Sequence, residues 1–235
     1  MAQIPDSPKL RRTLQLSAMM IWENLGLVVA ISAITSVATL PSVTLLAFGL
    51  GMHPIPRILT LLAAFLAWNL LVPPMQFSAV NIGQRAIEGE ERGVVIFLKG
   101  CLGKYWQRVW IGMIRSGVYV IVLANVMFYA NISRTAGLVI GVVAFYIVLL
   151  WQVIGIYSYS LRSAQFRNAS IFAVTSVLYT FGIILTLAII FVILSATGAG
   201  FLLLAPGIWA MVSARATHTQ LRRFDLIEHD HFDPE

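Results

Sequence analysis

Residues 80–110 read VNIGQRAIEGEERGVVIFLKGCLGKYWQRVW, and they hold Arg85, Glu88, Glu90, Glu91, Arg92, Lys99, Lys104 and Arg108 between long apolar runs on either side. A run of roughly 20 apolar residues crosses the hydrocarbon core of a bilayer as a helix, and a charged island between two such runs is costly to leave in lipid. The stretch therefore reads as the water-facing loop of a multi-spanning helical membrane protein. Gly89 suits the left-handed position that ends one helix. Glu90 and Glu91 then fall near the positive N-terminal end of the next.

Inside the loop, a step of about 100° per residue places Leu98, Cys101, Leu102, Tyr105, Trp106 and Val109 in one arc. Lys99, Gly100, Gly103, Lys104, Gln107 and Arg108 fall opposite them. This pattern predicts a basic amphipathic helix over about 94–108. Its place is either the lipid–water boundary, with Lys99, Lys104 and Arg108 at the headgroups beside Tyr105 and Trp106, or a packed position on the protein's own spans.

Composition agrees with the loop. Of 235 residues, 59% are hydrophobic and 11% charged, against roughly 25% charged in a soluble domain. The class is an all-α polytopic transmembrane helical bundle. The formal net charge is +6, but the cations gather between apolar runs, which fits a membrane surface and not nucleic acid. The single cysteine, Cys101, excludes an intrachain disulfide. Residues 1–16 are polar and basic and lack the pattern of a cleavable signal peptide.

Six spans are expected, over about 16–40, 58–80, 109–130, 136–159, 171–195 and 201–215. Together they form one transmembrane domain over 1–215, followed by a flexible tail over 216–235. Pro41 ends or kinks the first span, and residues 42–52 are too few to cross, so they form a helical extension or a re-entrant piece. Pro73-Pro74 interrupts the second span and frees the carbonyls of Asn69 and Leu70, which then need another donor. That break is either a packed kink or a ligand or gating site. Pro206-Gly207 interrupts the sixth span. The proline breaks of spans two and six are not equivalent, which argues against a paired inverted repeat.

With six spans both termini share a side. That side collects thirteen of the sixteen Lys and Arg residues, leaving Arg57 and Arg134 opposite and Arg115 within a span. The positive-inside rule puts both termini in the cytoplasm, so the expected location is a bacterial cytoplasmic membrane, multi-pass.

Two charges fall inside the expected spans, Glu23 and Arg115, each about seven residues in. Equal depth makes them candidate partners in one buried ion pair. Independent snorkelling and a proton or substrate path are the other readings. Asn24, Asn69, Asn125 and Gln152 read as interhelical hydrogen-bonding groups. Glu228, His229, Asp230, His231 and Asp233 are of metal-ligating type but lack a scaffold, so no metal site is assigned. The chain carries no HExxH, GxSxG, Walker, GxGxxG or CxxC pattern, and it reads as non-enzymatic, with no cofactor.

Several of these features together resemble the YesL-like bacterial membrane proteins, a family without an established biochemical function. The likeness rests on Pro73-Pro74, then Arg85-Ala86-Ile87-Glu88-Gly89-Glu90-Glu91, then Phe97 and Tyr105-Trp106. It continues with Tyr157 and Tyr159, Phe166-Arg167-Asn168-Ala169 and Leu204-Ala205-Pro206-Gly207. It covers most of 60–215, and residues 39–57 depart from it. The resemblance implies an accessory or regulatory subunit linked to carbohydrate uptake, working in the lipid bilayer with a membrane-protein partner or as a homo-oligomer. It implies no catalytic or binding residue. The rival expectation is a small secondary transporter or channel with a path near Glu23, Asn69 and Arg115. A transporter predicts a cavity between the spans; an accessory subunit predicts a dry, packed bundle.

Overall fold

The computed structural model describes residues 9–159 and 166–223. Among the described residues there are nine helices and no strand: α1 (Leu10–Glu23), α2 (Leu25–Leu50), α3 (Pro54–Ile87), α4 (Val94–Leu102), α5 (Tyr105–Ile132), α6 (Arg134–Ser158), α7 (Phe166–Thr175), α8 (Val177–Ser195) and α9 (Ala199–Arg223). Six of them, α2, α3, α5, α6, α8 and α9, are long and apolar enough to cross a membrane. The chain is thus the all-α, six-span bundle that its hydropathy predicts.

The first expected span is redrawn. Residues 16–23 belong to α1, a separate helix, and the crossing helix begins at Leu25. The break is at Asn24, whose backbone leaves the helical region (φ −114°, ψ 23°). Its side-chain Nδ2 donates to the Met20 carbonyl at 2.8 Å, beside the Asn24 backbone N–H at 3.2 Å. α1 is amphipathic: Thr13, Ser17 and Met20 are buried on one side, and Arg11 and Arg12 are exposed on the other. Tyr179 of α8 donates to Thr13 at 3.1 Å, which ties α1 to α8.

Of the two expectations for residues 42–52, the helical extension is the one found, because α2 runs through Pro41 to Leu50. The fifth span also divides. Ser176, at φ −141° and ψ 49°, separates α7 from α8, so the crossing helix starts at Val177 and not at 171. The sixth runs on to Arg223. The expected tail of 216–235 is therefore corrected over 216–223, where Ala216, Thr217, His218 and Gln220 are buried in the bundle. The rest of that tail, with its histidines and acids, and residues 160–165 lie outside the described residues.

The charged loop is shaped as its glycines suggest. α3 ends at Ile87, Gly89 takes φ 73°, and Arg85 pairs with Glu90 at 3.5 Å across the turn. The amphipathic helix expected over 94–108 is not continuous. α4 stops at Leu102, Lys104 adopts the left-handed conformation (φ 50°), and Tyr105 opens α5. Gly100 and Gly103, close together, weaken any helix through this point.

Packing centres on α2, α3 and α9, with α4 laid against α3 and α1 against α9. Their shared core holds Met20, Val28, Ile31, Val80, Ile82, Phe97 and Met211. α5 and α6 form an antiparallel pair joined at Ser133, and α5 meets the rest of the bundle chiefly through α3. A second core, Tyr157, Phe172, Ile183 and Val212 among others, ties α6 and α7 to α8 and α9.

Candidate functional site

Two of the interior proline breaks, at Pro74 in α3 and Pro206 in α9, are mended by a side chain from a neighbouring helix. Pro74 has no N–H to give to the Leu70 carbonyl four residues back, and the Tyr105 hydroxyl donates to that oxygen at 2.7 Å instead. Pro206 leaves the Leu202 carbonyl in the same state, and the Ser36 hydroxyl donates to it at 2.6 Å. One turn earlier on α2, Ser32 Oγ accepts the Gly207 N–H at 2.8 Å.

The other side of the α3 break is filled by α5. Asn69 is buried; its Nδ2 donates to the Phe65 carbonyl at 2.8 Å, and its Oδ1 accepts the Ser116 hydroxyl at 2.8 Å. A Cβ at Gly112 would fall on the Pro73 ring. Gly112 and Ser116, one turn apart, thus let α5 approach the break closely, as small residues do between membrane helices.

Next to this contact lies a cavity of about 640 Å³, and every one of the six spans contributes to its wall. α2 supplies Thr35, Ser36 and Thr39, and α3 supplies Trp68, Pro73 and Gln76. α5 adds Arg115, Ser116 and Tyr119; α6 and the residue after it add Gln152 and Tyr159. Phe191 of α8 and Phe201, Pro206 and Trp209 of α9 complete it. Pro206 is in the wall, and so is Pro73, the neighbour of the mended Pro74. The volume falls in the range of sites that hold small organic ligands.

Arg115 is the charge in this wall. It is the eleventh residue of α5, roughly 15 Å of helical rise from its start. Its partners come from α6. Nη2 donates to Gln152 Oε1 at 3.0 Å, and Cζ lies 4.5 Å from the centroid of the Tyr159 ring. The Trp151 indole N–H donates to the Arg115 carbonyl at 3.1 Å. A Cβ at Gly155 would fall on the guanidinium itself. Gln152, Gly155 and Tyr159 recur at helical spacing, so one face of α6 receives the cation. Nη1 is closed off from solvent without a hydrogen-bond partner, and so is the Tyr119 hydroxyl.

The expected pair between Glu23 and Arg115 is not formed: among the described residues no ion pair joins them, and Glu23 is exposed at the end of α1. The expected span is divided at Asn24, so Glu23 ends α1 and does not lie within the crossing helix α2. The structure joins Asn69 with Pro73 and with the Arg115 cavity, and leaves Glu23 apart. Gln152 and Tyr159, the true partners of Arg115, had a signal in the sequence. They flank a glycine on one helical face, opposite a cation in the preceding span.

The residues expected at the membrane interface separate into two groups. Lys99 and Lys104 are exposed, and Trp106 is 68% exposed. Tyr105 and Arg108 turn inward. Tyr105 mends the α3 break, while Arg108 donates to the Gly100 carbonyl and lies 5.6 Å from the centroid of the Phe77 ring. Phe97 anchors α4 in the core, and its carbonyl accepts the Ser78 hydroxyl at 2.5 Å. Burial beside this contact pushes the Cys101 thiol above the ordinary thiol range, although Ser78 and the positive Arg108 act against the shift. No group of three or more His, Cys, Asp or Glu residues able to hold a metal occurs among the described residues. Comparison with protein-family models, with curated proteins and with solved structures finds no match to this chain.

Proposed function

We propose that this multi-pass membrane protein is a carrier whose cavity, walled by all six spans, binds a small solute. The observation behind the reading is the cavity itself: about 640 Å³, walled by all six spans, and bearing a cation deep in one of them. A cation in a membrane helix marks a functional site by default, because its burial is expensive. Two proline-broken helices, α3 and α9, put their prolines in the wall. Such breaks are where helices of this kind bend around a bound solute. The mending hydroxyls of Tyr105 and Ser36 hold the bends without fixing them as a continuous ladder would.

The reading is tested by cysteine accessibility. In a Cys101→Ser background, Ser116→Cys and Gln76→Cys place thiols on the wall, and Leu138→Cys places one on the exposed side of α6. In intact membranes a water-soluble, charged thiol reagent should modify the two wall positions and spare the third. A cavity closed to the reagent from both sides of the membrane would rule out a carrier. It would leave the accessory role beside a carbohydrate-uptake system that the YesL-like resemblance implies. Under the carrier reading the loop with Lys99 and Lys104 faces the cytoplasm, on the side the positive-inside rule assigns.

A further inference from the structure

The cavity holds a charge that its own wall does not balance. Among the described residues the wall holds Arg115 and no aspartate or glutamate. The four described carboxylates are Glu23, exposed at the end of α1, and Glu88, Glu90 and Glu91 in the loop after α3. The guanidinium is instead held by neutral groups: the Gln152 amide oxygen on Nη2 and the face of Tyr159. Those contacts orient a cation but do not neutralise it. In a low-dielectric site a lone charge draws an opposite one strongly, because solvent screening is weak. Nη1 and the Tyr119 hydroxyl, one helical turn apart on α5, are the donors left without partners. The remainder of the wall is largely apolar and aromatic, with Trp68, Phe191, Phe201 and Trp209 around the polar corner.

We propose that the ligand of this cavity is a monocarboxylic acid with an apolar aryl or alkyl body, its carboxylate seated against Arg115. The inference rests on the reading of the cavity as a ligand site and adds the class of ligand. Charge matching selects the head group. One guanidinium balances one carboxylate, whereas a phosphate monoester carries about −1.5 to −2 near neutrality and would leave excess negative charge in lipid. A carboxylate has two oxygens for the two donors without partners, Nη1 of Arg115 and the Tyr119 hydroxyl, which meet it once both side chains rotate toward the cavity. The aromatic part of the wall then covers the body. Such an acid reaches the site from water, as a short aryl carboxylate, or from the bilayer, as a fatty acid.

The test uses the full chain in nanodiscs of zwitterionic lipid, with tryptophan fluorescence as readout, because Trp68 and Trp209 are in the wall. The probes are 4-phenylbutyrate added from buffer and oleate delivered through the bilayer, each beside its neutral primary amide. Each acid that binds should bind saturably and roughly tenfold or more tighter than its amide, the size of one charge-assisted hydrogen bond. The phenylbutyrate and oleate arms identify the source. Arg115→Gln should bring acid and amide to equal affinity, Arg115→Lys should keep the preference in part, and Arg57→Gln, at the far end of α3, should leave it intact. Equal affinity for acid and amide in the unmodified protein overturns the carboxylate assignment and leaves the cavity reading standing. Failure of every probe to bind, with the wall thiols also unreactive, overturns both. Because the acid–amide comparison is made on the unmodified chain, it does not depend on any variant folding.

Discussion

The Tyr105 hydroxyl reaches from the first turn of α5 to the Leu70 carbonyl in the middle of α3, 2.7 Å away, and supplies the hydrogen bond that Pro74 cannot. Ser36 does the same for Leu202 opposite Pro206, at 2.6 Å. The two bonds repeat one solution to one problem: a carbonyl in lipid without a donor is costly, and the nearest helix lends a hydroxyl. Each bond also ties a broken helix to a neighbour beside the cavity.

Tyr105→Phe keeps the ring and removes the donor, so it isolates this term. The expected loss is roughly 1 kcal/mol, a fall of about 2–4 °C in the thermal midpoint for a chain of this length. Ser36→Ala should cost a similar amount. The two sites share no partner, so the double variant should lose the sum. Thermal unfolding in detergent measures all three; an unchanged midpoint for Tyr105→Phe would mean that water or lipid satisfies Leu70 in its place.

Much of this was legible in the sequence, and the reasons are physical. Span count follows from apolar length, which is a property of the whole segment and tolerates errors of a few residues at each end. The loop with Gly89 was readable because glycine at φ 73° has a local conformational cause. The freed carbonyl of Leu70 could be named because proline lacks an N–H wherever it stands. What failed was depth. Placing Glu23 inside a span took the first helix as continuous, and nothing in the sequence marks Asn24 as a break: Asn69 and Asn125 make the same side-chain bond four residues back in helices that continue. The continuous helix over 94–108 failed for a related reason. The arcs of Leu98 and Lys99 were right in kind, but the turn at Gly103-Lys104 resets the register before Tyr105, so residues on opposite sides of the break are not on one face.

The partnership of Arg115 is open to a double-mutant cycle. Against Gln152→Leu, Arg115→Met should show a coupling of about 1.5–3 kcal/mol, as for a hydrogen bond to a charged group. Against Glu23→Gln the coupling should vanish, and Glu23→Gln alone should leave the thermal midpoint where it was. A double variant of Glu23 and Arg115 that recovers stability lost by the single ones would restore the ion pair rejected above.

Cys101 gives a pH-dependent prediction outside the spans. Only the thiolate attacks an alkylating reagent, and burial, the leading cause, raises the thiol's pKa. With the folded pKa above the ordinary value, less thiolate is present at any given pH, so the profile of alkylation rate against pH shifts upward. In detergent, the native protein should react with iodoacetamide more slowly than the same chain in denaturant at neutral pH, and the two rates should converge as the pH rises. Ser78→Ala removes a hydrogen bond that favours the thiolate, so its profile should move further up. A native profile at or below that of the denatured chain would show that Arg108 outweighs burial.

The last prediction concerns the space that Arg115 occupies. A Cβ at Gly155 would overlap the guanidinium, whereas one at Gly117, on the same helix as Arg115, would meet nothing within 4 Å. Overpacking a filled site costs about 1–3 kcal/mol, so Gly155→Ala should destabilise and Gly117→Ala should not. The two outcomes available to Gly155→Ala separate packing from function. If the guanidinium is pushed aside yet still borders the cavity, stability falls and the preference for an acid over its amide persists. If the guanidinium is driven off the Gln152 amide, the preference falls together with the coupling between Arg115 and Gln152. In the combination Gly155→Ala with Arg115→Lys, the shorter, unbranched ammonium leaves the space beside α6 free, and the stability lost by Gly155→Ala should return in part. An equal loss in both backgrounds would show that the methyl group clashes with the α5 backbone and not with the arginine head.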